Sequence, residues 1–177
     1  MRTMRINLGD ALRQAVADNY GDLVTRRTGQ AVRQVIEHTL AETEGAQPAA
    51  IDFGTVRLLD LSCADEIVGR LLRDQGHARP FVLLNVSPAH RESLEFVLER
   101  HHLAVAIRDS HGSVDVVGSV TESVRRVFRF LAGGRGGGAP APDQLAEELA
   151  LTPDAVRQAL LELERLRLTP LPGAEVS

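Results

Sequence analysis

Apolar positions along this chain alternate between two patterns. At 49–53 (Ala49-Ala-Ile-Asp-Phe53) and 81–86 (Phe81-Val-Leu-Leu-Asn-Val86) they run almost unbroken, as in strands covered on both faces. Between and after these runs the spacing becomes helical. Val32, Val35, Ile36 and Leu40 predict a helix over 28–41 capped by Thr28, and Ile67, Val68, Leu71 and Leu72 predict another over 62–75 capped by Ser62. Leu94, Val97 and Leu98 form the stripe of a third, opened by Ser87 as cap and Pro88 at the first helical position. Residues 5–8 and 22–26 read as short strands, 9–19 as a weak helix or turn, 42–48 as a surface loop and 54–59 as a bend. Residues 103–107 and 113–117 flank a turn at 109–112 and predict a closing hairpin.

Beyond residue 119 the strand pattern stops. Ser119-x-x-Glu122 has capping-box spacing, and the helix it opens carries Val124, Val127, Phe128 and Leu131. Residues 133–142 are almost all Gly, Pro and Ala and predict a flexible connector. Two helices follow, over 143–150 and 153–168, with Thr152 as cap and Pro153 behind it. The expected class is α/β: a mixed sheet with helices over 1–119, joined to a small all-α unit over 120–177.

Composition narrows the function classes. With 44% hydrophobic and 25% charged residues, the 177-residue chain is that of an ordinary globular protein. No run approaches a membrane span and residues 1–10 lack the apolar core of a signal peptide, so the expected location is cytoplasmic, with no membrane partner. Cys63 is the only cysteine, which rules out an intrachain disulfide. Tandem His101-His102 cannot both face one ion and no other ligand set has metal spacing, so neither a metal nor another cofactor is expected. A net charge of -4 argues against coating nucleic acid by bulk charge, and 3% aromatic content argues against a base-stacking platform.

Two stretches resemble known families. Ala50-Ile-Asp-Phe-Gly-Thr-Val56 followed by Ser62-Cys-Ala-Asp-Glu-Ile67, with Leu23-Val-Thr-Arg26 upstream, resembles a STAS-like family of unknown function over about residues 5–117. Cys63 stands where that family usually has Phe. Related STAS proteins, the anti-sigma-factor antagonists, carry a regulatory phosphorylated Ser directly after an Asp at this corner. Here Asp60 aligns with that Asp and Leu61 with that Ser, so only Ser62, one place later, is left as a possible phosphorylation site. The resemblance implies a partner-binding corner at Asp60, Ser62, Asp65 and Glu66, taking a regulatory protein or a small ligand.

The second resemblance is of 144–166 to helix-turn-helix transcription regulators of the winged-helix type. Ala146 is small where the helices would cross, Ala150 stands where the turn usually has Gly, and Val156, Leu160, Leu163 and Leu166 continue the core. This resemblance implies a homodimer on double-stranded DNA, with the start of the second helix in the major groove. Thr152, Asp154, Arg157 and Gln158 would lie there, Arg157 and Gln158 reading bases, and Arg125, Arg126 and Arg165 would contact phosphates.

Plainer readings stand beside these. Ser62 is explained as an N-cap, and Asp65 and Glu66 by the positive end of a helix dipole. Adjacent helix positions do not share a site, so the pair predicts no acid–base catalysis, and no catalytic residue is expected. Gly133-Gly-Arg-Gly-Gly-Gly138 lacks the Lys and Ser/Thr of a phosphate loop and follows no strand. From 123 onward seven Arg face seven acids, which weakens non-specific DNA affinity. The expected function is a non-enzymatic regulator, transcriptional in the first reading; the alternative is a protein-interaction switch that does not touch DNA.

Overall fold

The computed structural model describes residues 3–16, 21–43, 47–134 and 140–168. Its centre is a five-stranded mixed sheet in the order β1 (Met4–Asn7), β3 (Ala49–Asp52), β5 (Phe81–Leu84), β6 (Ala104–Arg108), β7 (Val114–Gly118). The first four strands run parallel and β7 pairs antiparallel to β6, Ala106 lying opposite Val116. A separate two-stranded ribbon joins β2 (Asp22–Leu23) to β4 (Leu58–Leu59). The bend expected at 54–59 thus contains a strand, and the strand expected over 22–26 stops at Leu23.

Each parallel crossover moves one place in the same direction across the sheet. Right-handed crossovers then put every connecting helix on one face. Helices α1 (Leu8–Ala15), α2 (Arg26–Ala41), α3 (Leu61–Ala64), α4 (Arg70–Gln75) and α5 (Pro88–Arg100) all contribute to one core with Ile6, Ile51, Phe53, Leu83 and Ile107. The alternate positions Ala50, Val82, Leu84, Ala106 and Val116 point the other way and would meet water if nothing covered them. Helices α6 (Glu122–Ala132) and α8 (Pro153–Arg165) cover them through Val127, Phe128, Ala159 and Leu163. Helix α7 (Pro142–Leu149) packs on α8 through Leu145, Ala146 and Val156. The helices after 119 therefore lie on the second face of the sheet. Of the connector expected at 133–142, residues 135–139 lie outside the described residues.

Three expected caps move. Thr25, not Thr28, caps α2. Asp60, not Ser62, caps α3, its carboxylate accepting the Cys63 N–H at 2.7 Å. Thr121, not Ser119, caps α6 by accepting from Val124 N–H, so the Ser119-x-x-Glu122 box does not form. Ser87 and Thr152 cap as expected, each followed by Pro. The reason is shared: several Ser, Thr or Asp residues precede each helix, and the backbone direction entering it selects which can reach an N–H.

The outer edge of β7 is blocked. Val116 would present its N–H and carbonyl to a neighbouring chain, but the N–H donates to Asp115 Oδ1 at 2.8 Å and the carbonyl accepts from the Arg125 guanidinium. Arg91 and Arg129 close on Asp115 at 2.8 and 2.7 Å, tying α5 and α6 around the edge. Such a plug prevents strand addition.

Candidate functional site

Residues 60–75 begin where β4 ends. The Asp60 carboxylate accepts three donors: Cys63 N–H at 2.7 Å, Ser62 Oγ–H at 2.8 Å and, from a distant part of the chain, Thr25 N–H at 2.8 Å. Burial pushes the Asp60 carboxyl up, and the Cys63, Thr25 and Ser62 donors outweigh it, so its pKa lies below the ordinary value. Thr25 is held at φ 72, ψ 142, a region that a β-branched residue rarely enters. Its carbonyl accepts from Cys63 Sγ at 3.0 Å and Gly29 N–H at 3.1 Å. One carboxylate thus fixes the starts of two helices side by side.

The second helix is interrupted by a π-helical turn, Asp65–Gly69, in which Arg70 N–H bonds the Asp65 carbonyl. The extra residue turns Asp65 and Glu66 toward α2. Glu66 is fully buried, with Arg26 at 2.7 Å, Arg70 at 3.3 Å and Arg33 at 3.6 Å. Asp65 binds Arg26 at 2.9 Å and His101, at the end of α5, at 2.7 Å. Burial raises the Asp65 carboxyl, but Arg26 and His101 hold it below the ordinary range. The approach of the two helices depends on Gly29, where a Cβ would stand 3.0 Å from Glu66 Cβ and 3.1 Å from Cys63 Cα.

This geometry bears on two expectations about the corner. Ser62 lies inside the first turn with its hydroxyl bound to a carboxylate, so a phosphoryl group there would face Asp60. Glu66 is enclosed by arginines and cannot face a partner. Asp60 and Asp65 are half-buried and act on the corner's own backbone and side chains. What the corner offers outward is apolar. Of six exposed large hydrophobic residues among those described, four lie on adjoining elements: Val24 (39% exposed) directly after β2, Leu58 (50%) in β4, Leu61 (46%) at the start of α3 and Phe96 (55%) on α5. Ser93 Oγ–H donating to the Leu59 carbonyl at 3.1 Å holds α5 against this ribbon. Arg26, Arg27 and Arg57 are exposed on the same segments; Arg26 and Arg57 are ion-paired, and among the described residues no ion pair engages Arg27. The sequence reading missed this surface, although Leu58 and Leu61 break the inward stripe and were a usable signal.

At the other candidate, Ala150 sits in the left-handed region (φ 50, ψ 44) and Leu151 N–H returns to the Ala146 carbonyl, so α7 ends in a left-handed cap without Gly. Thr152, Arg157 and Gln158 are exposed at the start of α8, with Arg157 bound to Asp154 at 2.6 Å. The expected phosphate contacts fare differently. Arg125 is only 14% exposed and serves the Val116 carbonyl and Glu95, Arg126 donates to the Leu149 carbonyl, and Arg165 is held by Glu162 at 2.8 and 2.6 Å. Arg125 and Arg126 are thus occupied inside the protein, because α6 lies on the sheet rather than beside a free helical pair. Over 142–168 three Arg face six acids.

A cleft of about 1050 Å³ opens at the carboxyl ends of β3, β5 and β6, where α/β sheets often take ligands. Its cations Arg91 and Arg129 are both closed on Asp115, and burial beside Phe53 pushes the His90 imidazole below its ordinary range. Among the described residues no group of His, Cys, Asp or Glu is placed to hold a metal ion, and no helix is long and apolar enough to cross a membrane. No protein-family model, curated protein or solved structure matches this chain.

Proposed function

We propose that this protein is a non-enzymatic regulator whose corner at Val24, Leu58, Leu61 and Phe96 docks a partner protein. The observation that carries the reading is the exposure of four apolar side chains on adjoining elements of a scaffold that Asp60 holds rigid. Scattered apolar residues are ordinary on a surface, whereas several exposed on adjoining elements are a feature of interaction sites. The exposed arginines on the same segments suit a partner face that is both apolar and carboxylate-bearing. With Leu61 in the place of the phosphorylatable Ser of anti-sigma-factor antagonists, docking would not be switched at that position.

A photo-crosslinking residue placed at Leu61 or at Phe96 in the native host tests this. The expected result is one shared heterologous product from both positions and none from Phe130, an exposed aromatic away from the patch. With that partner purified, Leu61→Asp is expected to weaken binding at least about tenfold, the scale of a buried interface anchor. Crosslinks only to a second copy of this chain, or equal labelling from Phe130, would overturn the reading.

A second reading, DNA contact by α8, is favoured by the outward placement of Arg157 and Gln158 and opposed by the acidic surroundings. Duplex binding that weakens steeply with salt and is lost in Arg157→Ala would support it; no binding at low salt removes it.

A further inference from the structure

A second cavity, of about 450 Å³, lies at the opposite end of the sheet from the corner. Its walls are the end of α4, the starts of β5 and β6, and the turn that follows α8. Four arginines line it, Arg73, Arg79, Arg165 and Arg167, and no Asp or Glu among the described residues does. In a chain of net charge -4 this concentration is not a consequence of composition.

Two of the four are already neutralised: Arg73 lies 3.3 Å from Asp74, and Glu162 holds Arg165. The other two have no carboxylate at ion-pair distance among the described residues. Arg79 reaches the Leu40 carbonyl with Nη2 at 3.4 Å, but its Nη1 is buried and has no acceptor. A guanidinium N–H withdrawn from water without a partner is costly, and the Arg79 charge has no counterion among the described residues. Arg167, at φ 53 just past α8, is exposed beside the same space. Phe81 and Leu168 supply an apolar floor.

We propose that this cavity binds a small organic anion carrying a phosphate group. Planar guanidiniums present paired donors that fit phosphate oxygens, and the volume lies within the range of small-molecule sites. Arg73 and Arg79 belong to the layer on the first face of the sheet, Arg165 and Arg167 to the end of α8 on the second. A phosphate held between them joins the two layers. It also touches the far end of the helix that starts at the docking corner, although the site does not depend on that corner having a partner.

The test uses the full-length protein and pyrophosphate as probe, read by calorimetric titration and by the thermal midpoint at physiological ionic strength. Pyrophosphate is expected to bind and to raise the midpoint. Arg79→Gln and Arg167→Gln are each expected to weaken binding about tenfold or more, while Arg57→Gln, on the distant ribbon, leaves it unchanged. Arg167 is exposed, so its variant keeps the test valid if Arg79→Gln folds poorly. Absence of binding at millimolar pyrophosphate, or equal loss in Arg57→Gln, overturns the proposal. So does displacement of pyrophosphate by duplex DNA with a steep salt dependence, which would assign the arginines to a polyanion backbone.

Discussion

The Asp60 carboxylate accepts the Thr25 N–H at 2.8 Å across 35 positions of sequence while it caps α3 through Cys63. The bond fixes the ribbon that presents Val24 and Leu58 to the helix that presents Leu61. Asp60→Ala removes a cap and two further acceptor contacts, and a loss of about 2 kcal/mol is expected in urea unfolding. Asp60→Asn keeps one acceptor oxygen and is expected to lose less.

Thr25 carries the strain of this arrangement. Gly adopts its φ of 72 without steric cost, whereas Ala keeps the penalty and loses the hydroxyl cap. Thr25→Gly is therefore expected to be more stable than Thr25→Ala by about 1 kcal/mol, measured by thermal unfolding of the two variants side by side. Equal stability would show that the residue is unstrained.

Glu66 is buried among Arg26, Arg33 and Arg70. Glu66→Ala leaves these cations without their shared carboxylate and is expected to cost roughly 3 kcal/mol. If the variant unfolds within a few tenths of a kcal/mol of the wild type, the arginines have recovered water and the cluster is not structural.

Cys63 has its thiol pushed up to about 12, first by burial and then by the charge of Asp60. The thiolate is the reactive form, so Cys63 is expected to resist iodoacetamide in the folded protein and to react only after denaturation. Rapid labelling under native conditions would mean that the corner opens.

Asp52, Asp60, Asp65 and Asp115 all have pKa values below the ordinary carboxylate range, their hydrogen bonds outweighing burial. A depressed folded pKa adds stability that is present above the unfolded value of about 3.9 and is lost as pH falls through it toward the folded values. Stability is therefore expected to decline gently below about 6.5, where the unfolded chain protonates His90 more readily than the folded protein does, and to fall steeply below about 4, where the carboxylates follow. Asp115→Asn, which removes the charge that three arginines surround, is expected to make that fall shallower.

The sequence by itself determined the elements that one segment can encode. The apolar runs at 49–53 and 81–86, the stripes of α2, α5 and α6, the Ser87-Pro88 and Thr152-Pro153 starts and the 104–118 hairpin follow from periodicity and caps acting over a few residues. The α/β class and a corner near Asp60 follow from the same signals. Contacts between distant segments decided the rest. Asp60 replaces Ser62 as cap because it must also reach Thr25. The π turn buries Glu66 because α2 brings Arg26 and Arg33 to it, and Arg125 turns inward because β7 has an open edge. Helices α6 and α8 close over the sheet because single-direction crossovers leave Ala50, Val82 and Ala106 uncovered. The docking patch and the arginine cavity are likewise assembled from residues far apart in the chain. Local pattern carries no record of such pairings; burial and charge satisfaction in the folded chain fix them.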